Sequence, residues 1–157
     1  MEWRVYVETS VISYLTSRLS RDLIVAGHQQ LTQDWWANHR HKFELFVSQT
    51  VLEESTGGDQ EAAQQRLSAV ATLPLLEITE GAIALAKDLI RLGPLPKKAE
   101  VDALHIAIAV TNRADYLLTW NCKHLANAAL RSRIERVCRA HGYEPVVICT
   151  PEELLED

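Results

Sequence analysis

Hydrophobic and polar positions in this chain alternate between two periods, which predicts short strands that lead directly into helices. Apolar, β-rich runs typical of buried strands recur along the chain and are separated by turn-forming residues. The predicted strands are Trp3–Val7, Phe43–Ser48, Leu75–Ile78, Tyr116–Thr119 and Val146–Ile148. Between them, helices are predicted at about 21–38, where apolar residues follow a three-and-four spacing, and at about 51–54, 60–71, 79–92, 99–111 and 130–141.

The ends of these elements are also indicated by the sequence. Thr9 or Ser10 is the predicted N-cap of a helix that follows the first strand, and Thr79 is the predicted N-cap of a later helix. Gly142 is the expected C-cap of the helix at about 130–141. Strands that alternate with helices predict a parallel sheet covered by helices on both faces. We therefore expect an α/β fold, a three-layer α/β/α sandwich around a mostly parallel sheet of four to five strands, formed by residues 1–157 as one domain.

Composition narrows the class of protein without naming a function. The chain is 47% hydrophobic and 24% charged, and it contains no apolar stretch of about 18 residues such as a membrane span requires. The first residues enter a strand directly and leave no room for a secretion signal, and the three cysteines show no C-x-x-C spacing. These features predict a cytoplasmic protein with reduced thiols. The net charge of −5 argues against broad electrostatic adhesion to nucleic acid, although a bound cation reverses that sign locally.

Oxygen-bearing side chains fall where the predicted strands end. Glu8 directly follows the first strand, and Asn121 follows Tyr116–Thr119 after one intervening residue. Glu54, or its neighbour Glu53, lies in the helix after the second strand. Because the carboxyl ends of parallel strands meet at one edge of a sheet, these side chains are predicted to converge there. Clustered carboxylates with an amide suit Mg²⁺ or Mn²⁺, since both ions prefer oxygen ligands.

Asp102 is the most informative acid, because it shares a helical face with His105 and Ile106. A carboxylate on a buried face must be paired or bound to a metal. Each acid also has a simpler interpretation: Glu8 and Asp102 suit the positive end of a helix, and Asn121 suits a turn. His105 is favoured as a core histidine, although it can also orient Asp102.

Further residues are candidates for contacts with phosphate. Thr9 and Ser10 lie at a helix start beside Glu8, and Lys123 and His124 follow Asn121 closely, although a solvated loop is the favoured interpretation of the latter pair. The sequence contains no Gly-rich phosphate loop, which counts against nucleotide-cofactor and P-loop proteins.

Four stretches of the chain resemble, in order, the successive motifs of PIN domains, and the closest likeness is to the VapC-like toxins. These stretches are Val5–Ile12, Ser48–Glu54, Asp102–Ala107 and Asp115–Asn121. The resemblance implies an α/β/α ribonuclease that uses acidic residues to bind Mg²⁺ or Mn²⁺ and cleaves single-stranded RNA. It further implies a small antitoxin partner and a homodimer formed through helices, for which those carrying Trp35 and Trp36 are candidates.

The family's functional residues carry over to four positions of this sequence. The first acid matches Glu8, the second matches Glu54, the third matches Asp102, and the fourth position matches Asn121. The first acid of the family is usually Asp, and the fourth is commonly Asp where this chain has Asn. Glu53 is the alternative to Glu54 as the match to the second acid.

We therefore expect a metal-dependent ribonuclease in which Glu8, Glu54 and Asp102 bind Mg²⁺ or Mn²⁺. Asn121 is expected to orient a ligand or water. The alternative is a PIN-like module that no longer cleaves and binds RNA or protein, which Glu8 and Asn121 favour. A third, weaker interpretation is an α/β phosphohydrolase that acts on small molecules.

Overall fold

A computed structural model describes residues 2–155, which form five strands and seven α-helices in alternation. The strands are β1 Trp3–Val7, β2 Phe43–Ser48, β3 Leu75–Leu76, β4 Tyr116–Leu118 and β5 Val147–Cys149. The helices are α1 Thr9–Thr16, α2 Leu23–Asn38, α3 Gln49–Ser55, α4 Gln60–Val70, α5 Glu80–Arg91, α6 Glu100–Thr111 and α7 Ala128–Ala140. Short 3₁₀ turns occupy Arg40–Lys42 and Lys97–Ala99.

The five strands form one parallel sheet in the order β3-β2-β1-β4-β5. In the central pairs, Val5 lies opposite Leu45 of β2 and Tyr116 of β4. The predicted α/β class and parallel sheet are confirmed, with the strand number at the upper end of the expected range.

The direction of the crossovers places helices on both faces of the sheet. Connections from β1 to β2 and from β2 to β3 move toward one edge, whereas those from β3 to β4 and from β4 to β5 move toward the other. Since parallel crossovers are right-handed, α1 to α4 cover one face and α5 to α7 cover the opposite face. The helix contacts agree, because α1 packs on α2, α3 and α4, while α5 packs on α6 and α7. The result is the three-layer α/β/α sandwich that the sequence predicted.

The core lies on both sides of the central strand. Val5, Tyr6 and Val7 of β1 are fully buried, and α6 is buried from Ile106 to Val110, as its continuous apolar sequence predicts. Trp35 of α2 is also buried, and its indole N–H donates to the Leu154 carbonyl over 2.9 Å. The strand that precedes Glu8 is therefore buried on both faces.

Several predicted element ends are wrong by one or two residues, and three of them concern helix caps and the short strand β3. The N-cap of α1 is Glu8, because β1 leads straight into the helix: the Glu8 N–H still donates to Leu118 of β4, while its carbonyl accepts from Val11. The C-cap of α7 is His141, and Gly142 follows it with a φ of +84°, a backbone conformation that suits glycine. The strand predicted at 75–78 pairs with β2 through only its first two residues.

Among residues 2–155, no helix combines the length and the apolar character needed to cross a bilayer. The predicted domain 1–157 includes Met1, Glu156 and Asp157, which lie outside the described residues.

Candidate metal centre

The candidate site lies where the strand order reverses, between β1 and β4. The segments that follow β1 and β4 run in opposite directions, which opens a crevice at the carboxyl edge of a parallel sheet. Glu8 follows β1, Thr119 and Asn121 follow β4, and Glu54 lies in α3 after the neighbouring β2. The predicted convergence of these segments is therefore present.

Glu8 is buried and held by three donors. Its Oε1 accepts hydrogen bonds from the hydroxyls of Ser10 and Thr119, the latter over 2.6 Å, and its Oε2 accepts from the Ser10 N–H over 3.1 Å. The last bond caps α1, so the simpler interpretation of Glu8 as a helix-start residue also applies. The carboxylate is thus held through both of its oxygens.

Glu54 is more open, with 36% of its side chain exposed. Its Oε1 accepts from the Thr9 hydroxyl and from His105 Nε2, each over 2.6 Å. Partial burial opposes ionisation of Glu54, but the hydrogen bonds from His105 and from the Thr9 hydroxyl keep the pKa of the carboxyl below its usual range. Its neighbour Glu53 is exposed and points to solvent, so the geometry favours Glu54 as the ligand from α3.

His105 connects Glu54 to the interior. Its Nδ1 lies 2.7 Å from the Tyr6 hydroxyl, which lies 2.7 Å from Ser48 Oγ, and all three residues are fully buried. Burial raises the pKa of the Tyr6 phenol far above its usual value; the Ser48 hydrogen bond opposes this rise, and the charges of Glu8 and Glu54 add to it. His105 is thus a core histidine, as favoured, but it contacts Glu54 and not Asp102.

Glu8, Glu54 and His105 form a group that can hold a metal ion. One potential ligand atom from each lies within 4.8 Å of the others, and the group joins β1, α3 and α6. Two carboxylates within reach of one cation fit Mg²⁺ or Mn²⁺, because both ions take carboxylate oxygen.

Asp102 lies outside that group among the described residues, and it pairs with His124. Its Oδ2 is 2.9 Å from His124 Nδ1, and both side chains are at least four-fifths buried. Asn121 Oδ1 accepts from the N–H groups of Lys123 and His124, which forms the turn that presents this histidine. The interpretation of His124 as a solvated loop residue is therefore wrong, because its imidazole is packed against Asp102. Lys123 is exposed, as expected.

Other predicted contacts are occupied within the protein. The Thr9 hydroxyl binds Glu54, and the Ser10 hydroxyl binds Glu8 and accepts from the Trp120 N–H over 2.8 Å. Their predicted contacts with phosphate stay predictions. Asn121 joins this region to Glu8, since its N–H donates to Thr119 Oγ1, which in turn donates to Glu8.

Thr119, Tyr6 and Ser48 contact the site but were not among the residues predicted for it. Each had a weak signal, because each is a hydroxyl in or at the end of an otherwise apolar strand. Their contacts with Glu8 and His105 depend on how the strands align side by side, which the spacing along one strand does not reveal.

No protein-family model matches this sequence, and no curated protein matches it. Its fold is similar to that of a chain in the crystal structure of VapBC2 from Rickettsia felis bound to a DNA fragment from their promoter, with a TM-score of 0.52. The likeness covers 94% of this chain and 98% of that chain, at 15% identity. The two chains therefore share an α/β fold with a central parallel sheet flanked by helices.

Proposed function

We propose that this protein is a divalent-metal-dependent nuclease that hydrolyses phosphodiester bonds in RNA, with Mg²⁺ or Mn²⁺ bound by Glu8, Glu54 and Asp102. One observation carries the proposal: each of these carboxylates is positioned by hydrogen bonds and keeps one oxygen with a lone pair that no donor from residues 2–155 occupies. A carboxylate has about four lone-pair positions, two on each oxygen. A metal can therefore bind without breaking the hydrogen bonds that position the ligands.

The count of donors at each oxygen supports this. Glu8 Oε1 and Glu54 Oε1 each accept two hydrogen bonds, whereas Glu8 Oε2 accepts one and Glu54 Oε2 accepts none from residues 2–155. Asp102 Oδ2 is paired with His124, and its Oδ1 has no hydrogen-bond partner in the described part of the chain. Carboxylates held in this way lose little side-chain freedom when a cation binds.

The chemistry follows from this arrangement. When bound by these carboxylates, a divalent cation would supply positive charge to stabilise the developing phosphate charge and would make a bound water more acidic. Glu8 and Glu54 hold their positions through the hydroxyls of Thr119 and Thr9, and Asn121 presents His124 to Asp102. Exposed Lys123 contributes positive charge for the RNA backbone. Thr9 and Ser10 at the start of α1 are the proposed contacts of a phosphate oxygen.

The shared fold with a chain of the VapBC2 complex supports a more specific proposal, in which this protein is the toxin of a toxin–antitoxin pair. A small antitoxin would then be its partner, the cytoplasm its location, and a homodimer its assembly. Co-expression with the product of a short neighbouring open reading frame tests this, and a stable complex that suppresses cleavage of RNA is the expected result.

Metal binding is the first test of the nuclease proposal. Thermal unfolding of the wild type with Mg²⁺ or Mn²⁺ should show a rise in Tm, since a ligand at 100 times its Kd stabilises by about 2.7 kcal/mol. Glu54→Gln and Asp102→Asn should remove most of the rise. Glu53→Gln is the matched control, because it makes the same change on the exposed neighbour of Glu54. Loss of the rise in Glu53→Gln but not in Glu54→Gln would contradict the ligand set.

Cleavage of single-stranded RNA is the second test. Wild type and Glu53→Gln should cleave a fluorescent RNA in the presence of Mn²⁺, whereas Asp102→Asn should not. Full activity of Asp102→Asn would overturn its assignment.

A second candidate function is a PIN-like module that binds RNA or protein without cleaving it. It is favoured by the three donors that already hold Glu8 and by the use of the Asn121 carbonyl oxygen within a turn. No rise in Tm with millimolar Mn²⁺, together with intact binding of RNA or a partner, would support this module.

A further inference from the structure

A chain of buried hydrogen bonds runs behind Glu54 and ends on it. The Val51 N–H donates to Ser48 Oγ over 3.4 Å, Ser48 Oγ lies 2.7 Å from the Tyr6 hydroxyl, and that hydroxyl lies 2.7 Å from His105 Nδ1. The other ring nitrogen of His105, Nε2, lies 2.6 Å from Glu54 Oε1. The chain thus connects the start of α3 with a carboxylate in the same helix, through β1 and α6.

The hydrogens along this chain can be placed by counting. The Glu54 carboxylate only accepts, so the hydrogen between it and His105 belongs to Nε2. At neutral pH the Tyr6 phenol carries one hydrogen, as does the Ser48 hydroxyl. If Ser48 donates to Tyr6 and Tyr6 donates to Nδ1, every hydrogen in the chain has an acceptor.

The opposite direction leaves a hydrogen unpaired. If Nδ1 donates to Tyr6, Tyr6 must donate to Ser48, whose hydroxyl then has no acceptor among its partners in residues 2–155. A buried donor without a partner loses its hydrogen bonds to water and gains none in return, which is destabilising. Ser48 is fully buried, so bulk solvent does not compensate for the missing acceptor.

We propose that His105 is a positioning residue for Glu54, held by Ser48 and Tyr6 as the neutral tautomer that carries its hydrogen on Nε2. Its Nε2 lies within reach of a metal shared with Glu8 and Glu54, but a nitrogen that carries hydrogen does not bind metal. His105 instead occupies one oxygen of Glu54 and directs the other toward the cation. The effect on metal binding rests on the proposed function, whereas the tautomer does not.

Nitrogen-15 NMR of the imidazole tests the tautomer directly. In the metal-free wild type, we expect Nδ1 to resonate as an unprotonated nitrogen and Nε2 as a protonated one. Addition of diamagnetic Mg²⁺ should leave the hydrogen on Nε2. Protonation of Nδ1 in the metal-free protein, or loss of the Nε2 hydrogen when Mg²⁺ binds, would overturn the proposal, the latter by showing that His105 is a ligand.

Tyr6→Phe removes only the hydroxyl that holds Nδ1. We expect the Nδ1 resonance to move toward that of a nitrogen without a hydrogen-bond donor, and the Kd for Mn²⁺ to rise by about 10-fold or more, the usual effect of removing an outer partner of a metal site. Tyr116→Phe is the matched control on the adjacent strand, because its hydroxyl makes no hydrogen bond within the described residues. Equal Mn²⁺ affinity in the two variants would contradict the role of Tyr6.

Two amide variants separate positioning from packing. The His105→Gln amide nitrogen can replace Nε2 as donor to Glu54, whereas the shorter Asn side chain of His105→Asn reaches only the Nδ1 position. Calorimetric titration should therefore give a Kd for Mn²⁺ near the wild-type value in His105→Gln and a Kd raised by about 10–100-fold in His105→Asn. An equal loss in both variants would overturn the proposal. A wild type that binds neither ion would overturn the proposed function, and the NMR measurement would still decide the tautomer.

Discussion

Thr119→Val should lower the stability of the whole protein, because Thr119 fixes the buried carboxylate of Glu8. The Thr119 side chain is fully buried, and its hydroxyl donates to Glu8 Oε1 over 2.6 Å while accepting from the Asn121 N–H over 2.9 Å. Valine keeps the shape of threonine but removes both interactions. The Glu8 carboxylate then stays buried with fewer donors.

The magnitude follows from the two lost bonds. A hydrogen bond to a charged group contributes about 1.5–3 kcal/mol, and an amide left without its acceptor adds a further penalty of about 1 kcal/mol or more. We therefore expect the free energy of unfolding to fall by about 2–4 kcal/mol. In a domain of 157 residues, each kcal/mol lowers Tm by about 2–4 °C, so the fall should be roughly 5–15 °C.

Urea unfolding at neutral pH measures this change. Thr111→Val is the matched control, because the Thr111 hydroxyl donates only to carbonyls of its own helix, α6, such as Ala107 at 2.8 Å. Its effect should stay within about 0.5 kcal/mol. A double-mutant cycle with Glu8→Gln should give a coupling energy of about 1–3 kcal/mol between positions 8 and 119. If Thr119→Val is no more destabilising than Thr111→Val, or if the coupling is absent, Thr119 does not hold Glu8 as argued.

Three further predictions concern other parts of the chain. Gly27→Ala should raise the free energy of unfolding, measured in urea, by about 0.5–1 kcal/mol, because Gly27 lies inside α2 with open space around it. Gly93→Ala should lower the free energy of unfolding by about 1–3 kcal/mol, because the added Cβ would lie 2.5 Å from the Leu89 carbonyl oxygen. The hydrogen bond from His141, with that from Arg91, lowers the pKa of Asp88. The ionised form of Asp88 therefore stabilises the fold above about pH 4, and this contribution is lost as pH falls through the lowered pKa. Asp88→Asn should reduce the urea midpoint at pH 7, and its difference from the wild type should shrink as pH falls below about 4. Maleimide at pH 7 should label the exposed Cys122 first, since burial raises the pKa of Cys138 to about 11 and of Cys149 to about 12. Rapid labelling of either buried thiol in the native protein would contradict the placement of these two residues.

Local sequence patterns predicted most of the fold. The bounds of β1 and β2 match the predicted runs, because each is an apolar segment that ends at a polar residue followed by a helix. The burial of α6 followed from its lack of a polar face. The parallel sheet followed from the alternation of strands and helices, and with it the edge at which Glu8 and Asn121 lie.

The contacts within the site could not be predicted, because they join distant parts of the chain. Thr119 contacts Glu8 across 111 positions, and Tyr6 contacts His105 across 99. Helical spacing correctly placed His105 on a buried face, but it did not give the rotation of α6 relative to β1 and α3. That rotation brings His105 to Glu54 and leaves Asp102 to His124.

The alternatives that the sequence left open for Glu8 are compatible in the folded protein. As a helix cap, Glu8 accepts a hydrogen bond from the Ser10 N–H at Oε2. As a candidate metal ligand, Glu8 also needs a free lone pair. Oε2 retains one, because the two hydroxyl donors both bind Oε1. The extra methylene of Glu over Asp lets the carboxylate reach across to Thr119 on the neighbouring chain segment while it still caps its own helix. Capping therefore fixes the orientation of the proposed ligand while one oxygen keeps a lone pair for a cation.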